Sequence, residues 1–254
     1  MTAFDKIIGY DLIKNELIKI CDMLKNKELY MALGAKPVSG MLLYGEPGLG
    51  KTLVAKCFIE ESGLPSFTIR HDKNDSEFIS GISNTFEEAK KQAPCIVLLD
   101  DLDKFSDVNE DDHNRSTPEY SAVQSAFDNI SGFDVFVIAT ANNIDPLPES
   151  LLRAGRFDYK ITFNAPNIKD SAEIVKHYLA GKNLATDVSL DDISKMIAYG
   201  SCAELESVIN GAAANAAFAR RDCIAMSDIV SSVIQNSYNF CGNIESFSEE
   251  NRRR

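Results

Sequence analysis

Gly45-Glu-Pro-Gly-Leu-Gly-Lys-Thr52 fits the pattern G-x-x-x-x-G-K-[ST], and the chemistry of that pattern is the cradling of phosphate. The glycines let the loop through Glu46, Pro47, Gly48, Leu49 and Gly50 curl around an anion. Backbone N–H groups, and a helix opening at Lys51, Thr52 and Leu53, then turn toward it. Lys51 supplies a point charge for the β and γ oxygens of a nucleotide, and the Thr52 hydroxyl a ligand for Mg²⁺. A second element, Ile96-Val-Leu-Leu-Asp-Asp101, ends an apolar run on two carboxylates. Asp100 is suited to hold the metal, directly or through water, and Asp101 to polarise an attacking water. A strand-ending helix cap would account for one aspartate but poorly for two. Two further elements are Asn142, whose neutral amide can orient water or touch the γ-phosphate, and the pair Arg153 and Arg156, whose guanidinium groups can both reach a phosphate. Taken alone, Asn142 reads as a turn residue, and the arginine pair as a solvated or salt-bridged surface feature.

These residues need elements to carry them. Met41 to Tyr44 is a short apolar strand, and Lys51 to Glu61 a helix closed by Gly63, so the phosphate loop has a strand before it and a helix after it. Phe67 to Arg70 is predicted as a strand, Asn84 to Gln92 as a helix, and Ser121 to Ile130 as another. Cys95 to Leu99 and Val135 to Thr140 are continuously apolar, the pattern of strands buried on both faces. Strands alternating with helices imply a parallel sheet with helices on both faces, preceded by a helical segment over 11 to 33. Ser106 to Tyr120, polar and acidic, is predicted as a surface loop. Beyond Pro166 the pattern is all helical, over Ser171 to Leu179, Leu190 to Tyr199, Ala203 to Arg221 and Ser227 to Ser237. Asp187 or Ser189, and Ser227, stand at expected N-caps, and the Glu204 to Arg221 region carries an Ala-rich packing face. The fold class is therefore α/β with a small all-helical lid domain: 1–166 nucleotide-binding domain, 167–242 lid, 243–254 tail or linker.

Composition narrows the partners. Lys and Arg number 26 against 38 Asp and Glu, a formal charge of -12, which leaves no global footprint for nucleic acid or anionic lipid. Six cysteines are scattered without a C-x-x-C pair, as expected of reduced core thiols, and no apolar run reaches the length of a membrane span. The expectation is a soluble, cytoplasmic chain.

In this order and at these spacings, the elements resemble the AAA+ ATPases, especially the branch of the FtsH-type proteases and the proteasomal and Cdc48-type unfoldases. The resemblance runs from Phe4 to about Gln235 and is carried by FDKIIGYD, PVSGMLLYGEPGLGKT, FEEAKKQAPCIVLLDDLD, VIATANNIDPLPESLLRAGRFD and AELESVINGAAANAAFARRD. It implies hydrolysis of Mg-ATP in a ring of identical subunits, usually a hexamer, acting on protein substrates. It assigns Asn142 as the sensor-1 residue, Arg153 and Arg156 as fingers on ATP held by the neighbouring subunit, Ile8 and Gly9 as lining of the adenine pocket, and His177 as a neighbour of the nucleoside.

Departures from the family pattern also carry information. Asp101 is one methylene shorter than the glutamate usual there, which raises an ATP-gated assembly scaffold with weak turnover as an alternative. The stretch Arg70 to Gly81 is shortened where such motors carry a substrate-gripping loop. Phe78 and Ile79 are the candidate grippers, Phe78 equally a core residue, and a different alignment puts Asn74 and Asp75 there. No H-E-x-x-H occurs, so no zinc peptidase site of that type lies in this chain.

Overall fold

A computed structural model describes residues 2–71, 75–105 and 117–236. The chain divides into two compact units, one of Met1–Ile7 with Asp11–Asn164, the other of Ile8–Tyr10 with the residues from Ala165 onward. Ile8–Tyr10, which precede the first helix in sequence, thus group with the second unit.

In the first unit five strands form one parallel sheet: β1 (Gly40–Tyr44), β2 (Ser66–Arg70), β3 (Cys95–Asp100), β4 (Val135–Ala141) and β5 (Tyr159–Thr162), in the order β2-β3-β4-β1-β5. Every residue of β3 and β4 is buried, as expected for continuous apolar runs in a sheet covered on both sides. Successive side chains alternate between the faces. Leu42, Val97, Leu99, Val137 and Ala139 join a core with Ile82 and Phe86 of helix α4 (Asp75–Lys91) and Val123 and Phe127 of α5 (Pro118–Asn129). On the other face Phe136 stacks at 5.8 Å on Phe58 of α3 (Lys51–Ser62), and Phe58 meets Phe4 at 6.3 Å. The expected helical segment over 11 to 33 is two helices, α1 (Asp11–Lys25) and α2 (Lys27–Ala32), interrupted at Asn26, whose amide is bonded to Asp22.

Three differences from the sequence expectation have clear causes. β5 was not anticipated, because only Ile161 of its four residues is buried and so no apolar run marks it. Helix α4 begins well before Asn84, since its first turns are polar apart from the residues they bury. Phe78 is one of these: it is 3% exposed and packs edge-on against Phe105 at 4.9 Å and against the His71 ring at 4.5 Å, so it is a core residue and not a gripper. Of the expected loop, 106–116 lie outside the described residues, and the helix starts at Pro118, capped by Thr117. Asn74, the side chain of Asp75 and the tail over 243–254 also lie outside them.

The second unit holds α6 (Ile168–Leu179), α7 (Leu190–Met196), α8 (Cys202–Phe218) and α9 (Met226–Asn236) around Ile174, Ile193, Val208, Ala212, Ala216 and Ile229. Ser189 caps α7, and Ser201 and Glu204 cap α8 reciprocally. Ser227 is not a cap. Helix α9 already begins at Met226, and the Asp228 carboxylate accepts from the Ala225 N–H at 2.9 Å while holding Arg221. The Arg221 hydrogen bond keeps the Asp228 carboxyl below the ordinary carboxylate range. A depressed pKa means stabilisation that is complete above the ordinary value of 3.8 and lost as the pH falls through the lower native value. Asp228→Ala is expected to cost about 1 kcal/mol at neutral pH from the lost cap. The gap in unfolding temperature from wild type should close below that range.

Candidate functional site

Order in the sheet explains how the chemistry converges. β3, β4 and β1 are neighbours, so the loops leaving their carboxyl ends, at Asp100, Asn142 and Gly45, open side by side, where ligands bind in such sheets. Gly45, Gly48 and Gly50 have φ of 143°, 79° and 87°, backbone that side-chain-bearing residues rarely adopt. At Gly45 a Cβ would also lie 2.1 Å from the Phe163 carbonyl oxygen. The loop and its neighbours enclose a cavity of about 310 Å³ lined by Pro47, Gly48, Gly50, Lys51, Thr52, Leu53, Asp101, Lys104 and Asn142. Glu46 offers its carbonyl to Lys51, and the Leu49 side chain is buried in the core.

Lys51 is 6% exposed, and its Nζ donates to Gly45 O at 2.6 Å, Glu46 O at 2.8 Å and Asn142 Oδ1 at 2.9 Å. All three donors are used, yet each of these acceptors is neutral. Burial lowers the Lys51 pKa, opposed by the nearby charges of Asp103, Asp101 and Glu46. A buried cation held by neutral acceptors at the start of a helix fits a site built for an anion.

The carboxylates are as closely held. Asp100, 4% exposed, accepts on Oδ1 from the Thr52 hydroxyl at 2.8 Å and the Thr140 hydroxyl at 2.8 Å, and pairs through Oδ2 with Arg70 at 2.9 Å. The same Thr140 oxygen accepts from the Asp101 N–H at 2.9 Å, fixing a left-handed turn at Asp101. Asp101 Oδ2 lies 2.9 Å from Lys104 and 3.7 Å from Arg70. Asp103 accepts the N–H groups of Asn142 at 3.0 Å and Asn143 at 3.2 Å, tying the loop after β4 to that after β3. A hydroxyl and a carboxylate in contact are hard oxygen donors suited to Mg²⁺, which takes few protein ligands and completes its shell with phosphate and water. No group of three or more metal-ligating side chains occurs among the described residues.

Sequence reasoning named Lys51, Thr52, Asp100, Asp101 and Asn142, and the structure brings them together. It did not name Arg70, Lys104, Thr140 or Asp103. Asp103 alone left a signal, as the third acid of Asp100-Asp-Leu-Asp103. Arg153 is exposed, whereas Arg156 is 5% exposed and bound to Asp128. In the second unit, Ile8 packs against the helical core, Gly9 is buried, and His177 is exposed on α6, its ring edge-on to Tyr178. No helix among the described residues is long and apolar enough to cross a membrane.

Residues 41–165 match the family described as "ATPase family associated with various cellular activities (AAA)". Similar curated proteins are the ATP-dependent zinc metalloproteases FtsH of Ureaplasma parvum, 35% identical over 83% of this chain and 30% of that protein, and of Mycoplasma pneumoniae, 37% identical over 89% and 33%. FtsH 3 of Symbiobacterium thermophilum is 34% identical over 89% of this chain and 38% of its own length. The chain thus spans about a third of the length of these relatives. A matching family profile, the phosphate loop at the carboxyl end of β1 and the paired aspartates ending β3 agree: the chain belongs to the AAA family of ATPases and is related to FtsH.

Proposed function

We propose that the chain hydrolyses Mg-ATP within a ring of identical subunits, in the manner of a hexamer, and uses the cycle to remodel, unfold or translocate protein substrates. The observation that carries the nucleotide part is Lys51, a buried ammonium held only by neutral acceptors beside the phosphate loop. Thr52 and Asp100 would hold Mg²⁺, whose chemistry there is to neutralise and orient the phosphates. Asp101 polarises the attacking water, Asn142 shares its amide between Lys51 and the transferred group, and Arg153 reaches the ATP of the neighbouring subunit. Ile8, Gly9 and His177 take the nucleoside side of the site. Likeness to proteins named as ATP-dependent zinc metalloproteases supports a role in feeding protein to a peptidase; the 254 residues themselves carry no H-E-x-x-H pattern. The net charge of -12 and free thiols fit a cytoplasmic setting and protein rather than nucleic-acid partners.

Asp101→Asn is the direct test. Phosphate release should fall by about 10²–10⁴-fold with ATP binding retained, the loss expected of a general base. Unchanged turnover would remove Asp101 from the reaction. The scaffold reading is favoured by the grip of Lys104 on Asp101. On that reading, wild type assembles on ATP but barely turns over, and Asp101→Glu raises hydrolysis sharply.

A further inference from the structure

Arg156 does something other than wait for a neighbour. Its Nη1 donates to the Ser150 carbonyl at 2.7 Å, and its Nη2 to both oxygens of Asp128, at 2.9 Å and 3.1 Å. Its own N–H donates to the Arg153 carbonyl at 3.3 Å. The guanidinium therefore ties the first residue of the 150–156 turn to the last, and both to the C-terminal end of α5. Leu151 and Phe157, on either side, are buried at 0% and 1%. Gly155 turns with φ of 85°, its N–H given to Asp158, whose other oxygen takes the Ser39 N–H ahead of β1. Within this closed turn only Arg153, Ala154 and Gly155 are exposed. To touch a phosphate on another subunit, Arg156 would have to surrender the charge-assisted contact of its Nη2 with both Asp128 oxygens and the Nη1 bond to the Ser150 carbonyl, two contacts made while the side chain itself is buried.

We propose that Arg156 is a positioning residue: with Asp128 it clamps the 150–156 turn so that Arg153 alone is presented as the finger. This rests on the ring-hydrolysis reading for its effect on turnover, but the clamp can be tested without it. The separation between the two roles lies in Asp128, whose side chain is 64% exposed and touches no part of the nucleotide site described above. If Arg156 were itself a finger, removing Asp128 would release it and turnover would hold or rise. If Arg156 is a clamp, removing Asp128 loosens Arg153.

The experiment uses the full chain as wild type, Asp128→Ala, Arg156→Lys and Arg153→Ala. Backbone amide exchange over the 150–157 segment is measured first, without nucleotide. Exchange there should rise roughly tenfold or more in Asp128→Ala, less in Arg156→Lys, and stay at the wild-type rate in Arg153→Ala. Steady-state hydrolysis follows, well below each unfolding temperature. The kcat of Asp128→Ala should fall by roughly tenfold to a hundredfold, the loss typical of a misplaced group, with the KM for ATP unchanged. Arg156→Lys, which keeps the charge pair, should fall in between. Unaltered exchange in Asp128→Ala overturns the clamp whatever the turnover. A kcat at or above wild type in Asp128→Ala overturns Arg156 as a positioning residue. Wild-type turnover at baseline would instead count against the ATPase reading, and the exchange result would still decide the clamp.

Discussion

Lys51→Ala should abolish both nucleotide binding and turnover while leaving the protein at least as stable as wild type. The ammonium is buried and no carboxylate touches it, so in the absence of ligand the relief of a desolvated charge offsets the lost donor to Gly45 O, Glu46 O and Asn142 Oδ1 and the lost attraction to Asp103, Asp101 and Glu46. With ligand the position is reversed: the same charge is the cation aimed at the phosphates. Hydrolysis should fall by about 10²–10³-fold or more, as when one preorganised donor is deleted from a site of developing charge. Thermal unfolding separates binding from folding. Wild type should gain about 2.7 kcal/mol at a hundredfold excess of ligand over its dissociation constant, and Lys51→Ala should gain nothing. An equal gain in the two proteins would mean that the nucleotide is held elsewhere.

Arg153→Ala carries the second large effect. On the proposed reading this exposed guanidinium acts on a neighbour's ATP, so it should be needed for the transferred charge and not for binding. Turnover is expected to drop by about 10³-fold or more with ATP affinity kept. The trans geometry gives a sharper check by mixing. Lys51→Ala subunits cannot use their own site but still carry Arg153, and Arg153→Ala subunits have an intact site but no finger. Combined rings should hydrolyse faster than either parent. Failure of the mixture to exceed its parents would remove Arg153 from a role between subunits.

The parts of the site that could be read from sequence are those written locally. The phosphate loop is a contiguous pattern, and its flanks announce themselves through an apolar run before it and helical spacing after it. β3 and β4 are legible for the same reason, each a run buried on both faces. What escaped was decided at long range. Arg70 ends an edge strand, and only the parallel pairing of β2 with β3, which sets Arg70 opposite Asp100, brings it to both carboxylates. Thr140 looks like any strand residue until β4 is laid beside β3. Phe78 could not be divided between grip and core without knowing that His71 and Phe105 meet it. Arg156 is the plainest case: the three-residue spacing from Arg153 says where the two arginines lie along the chain, and nothing about Asp128, 28 positions upstream, which claims one of them.

Ile8, Gly9 and Tyr10 carry a practical consequence for anyone wishing to divide this protein. They belong with the second unit, where the Tyr10 N–H donates to Asp170 at 3.2 Å, its hydroxyl meets the Cys202 sulfur at 3.7 Å, and Ile8 leans on the helical core. Residues on both sides of them, Met1–Ile7 and Asp11–Asn164, belong to the first. A cut at Ala165 therefore releases a helical fragment stripped of three of its own residues, its core open where Ile8 had packed against it. Grafting or exchanging that fragment between relatives would have to carry the short N-terminal piece along, with the two further chain crossings at its ends, or accept a damaged surface.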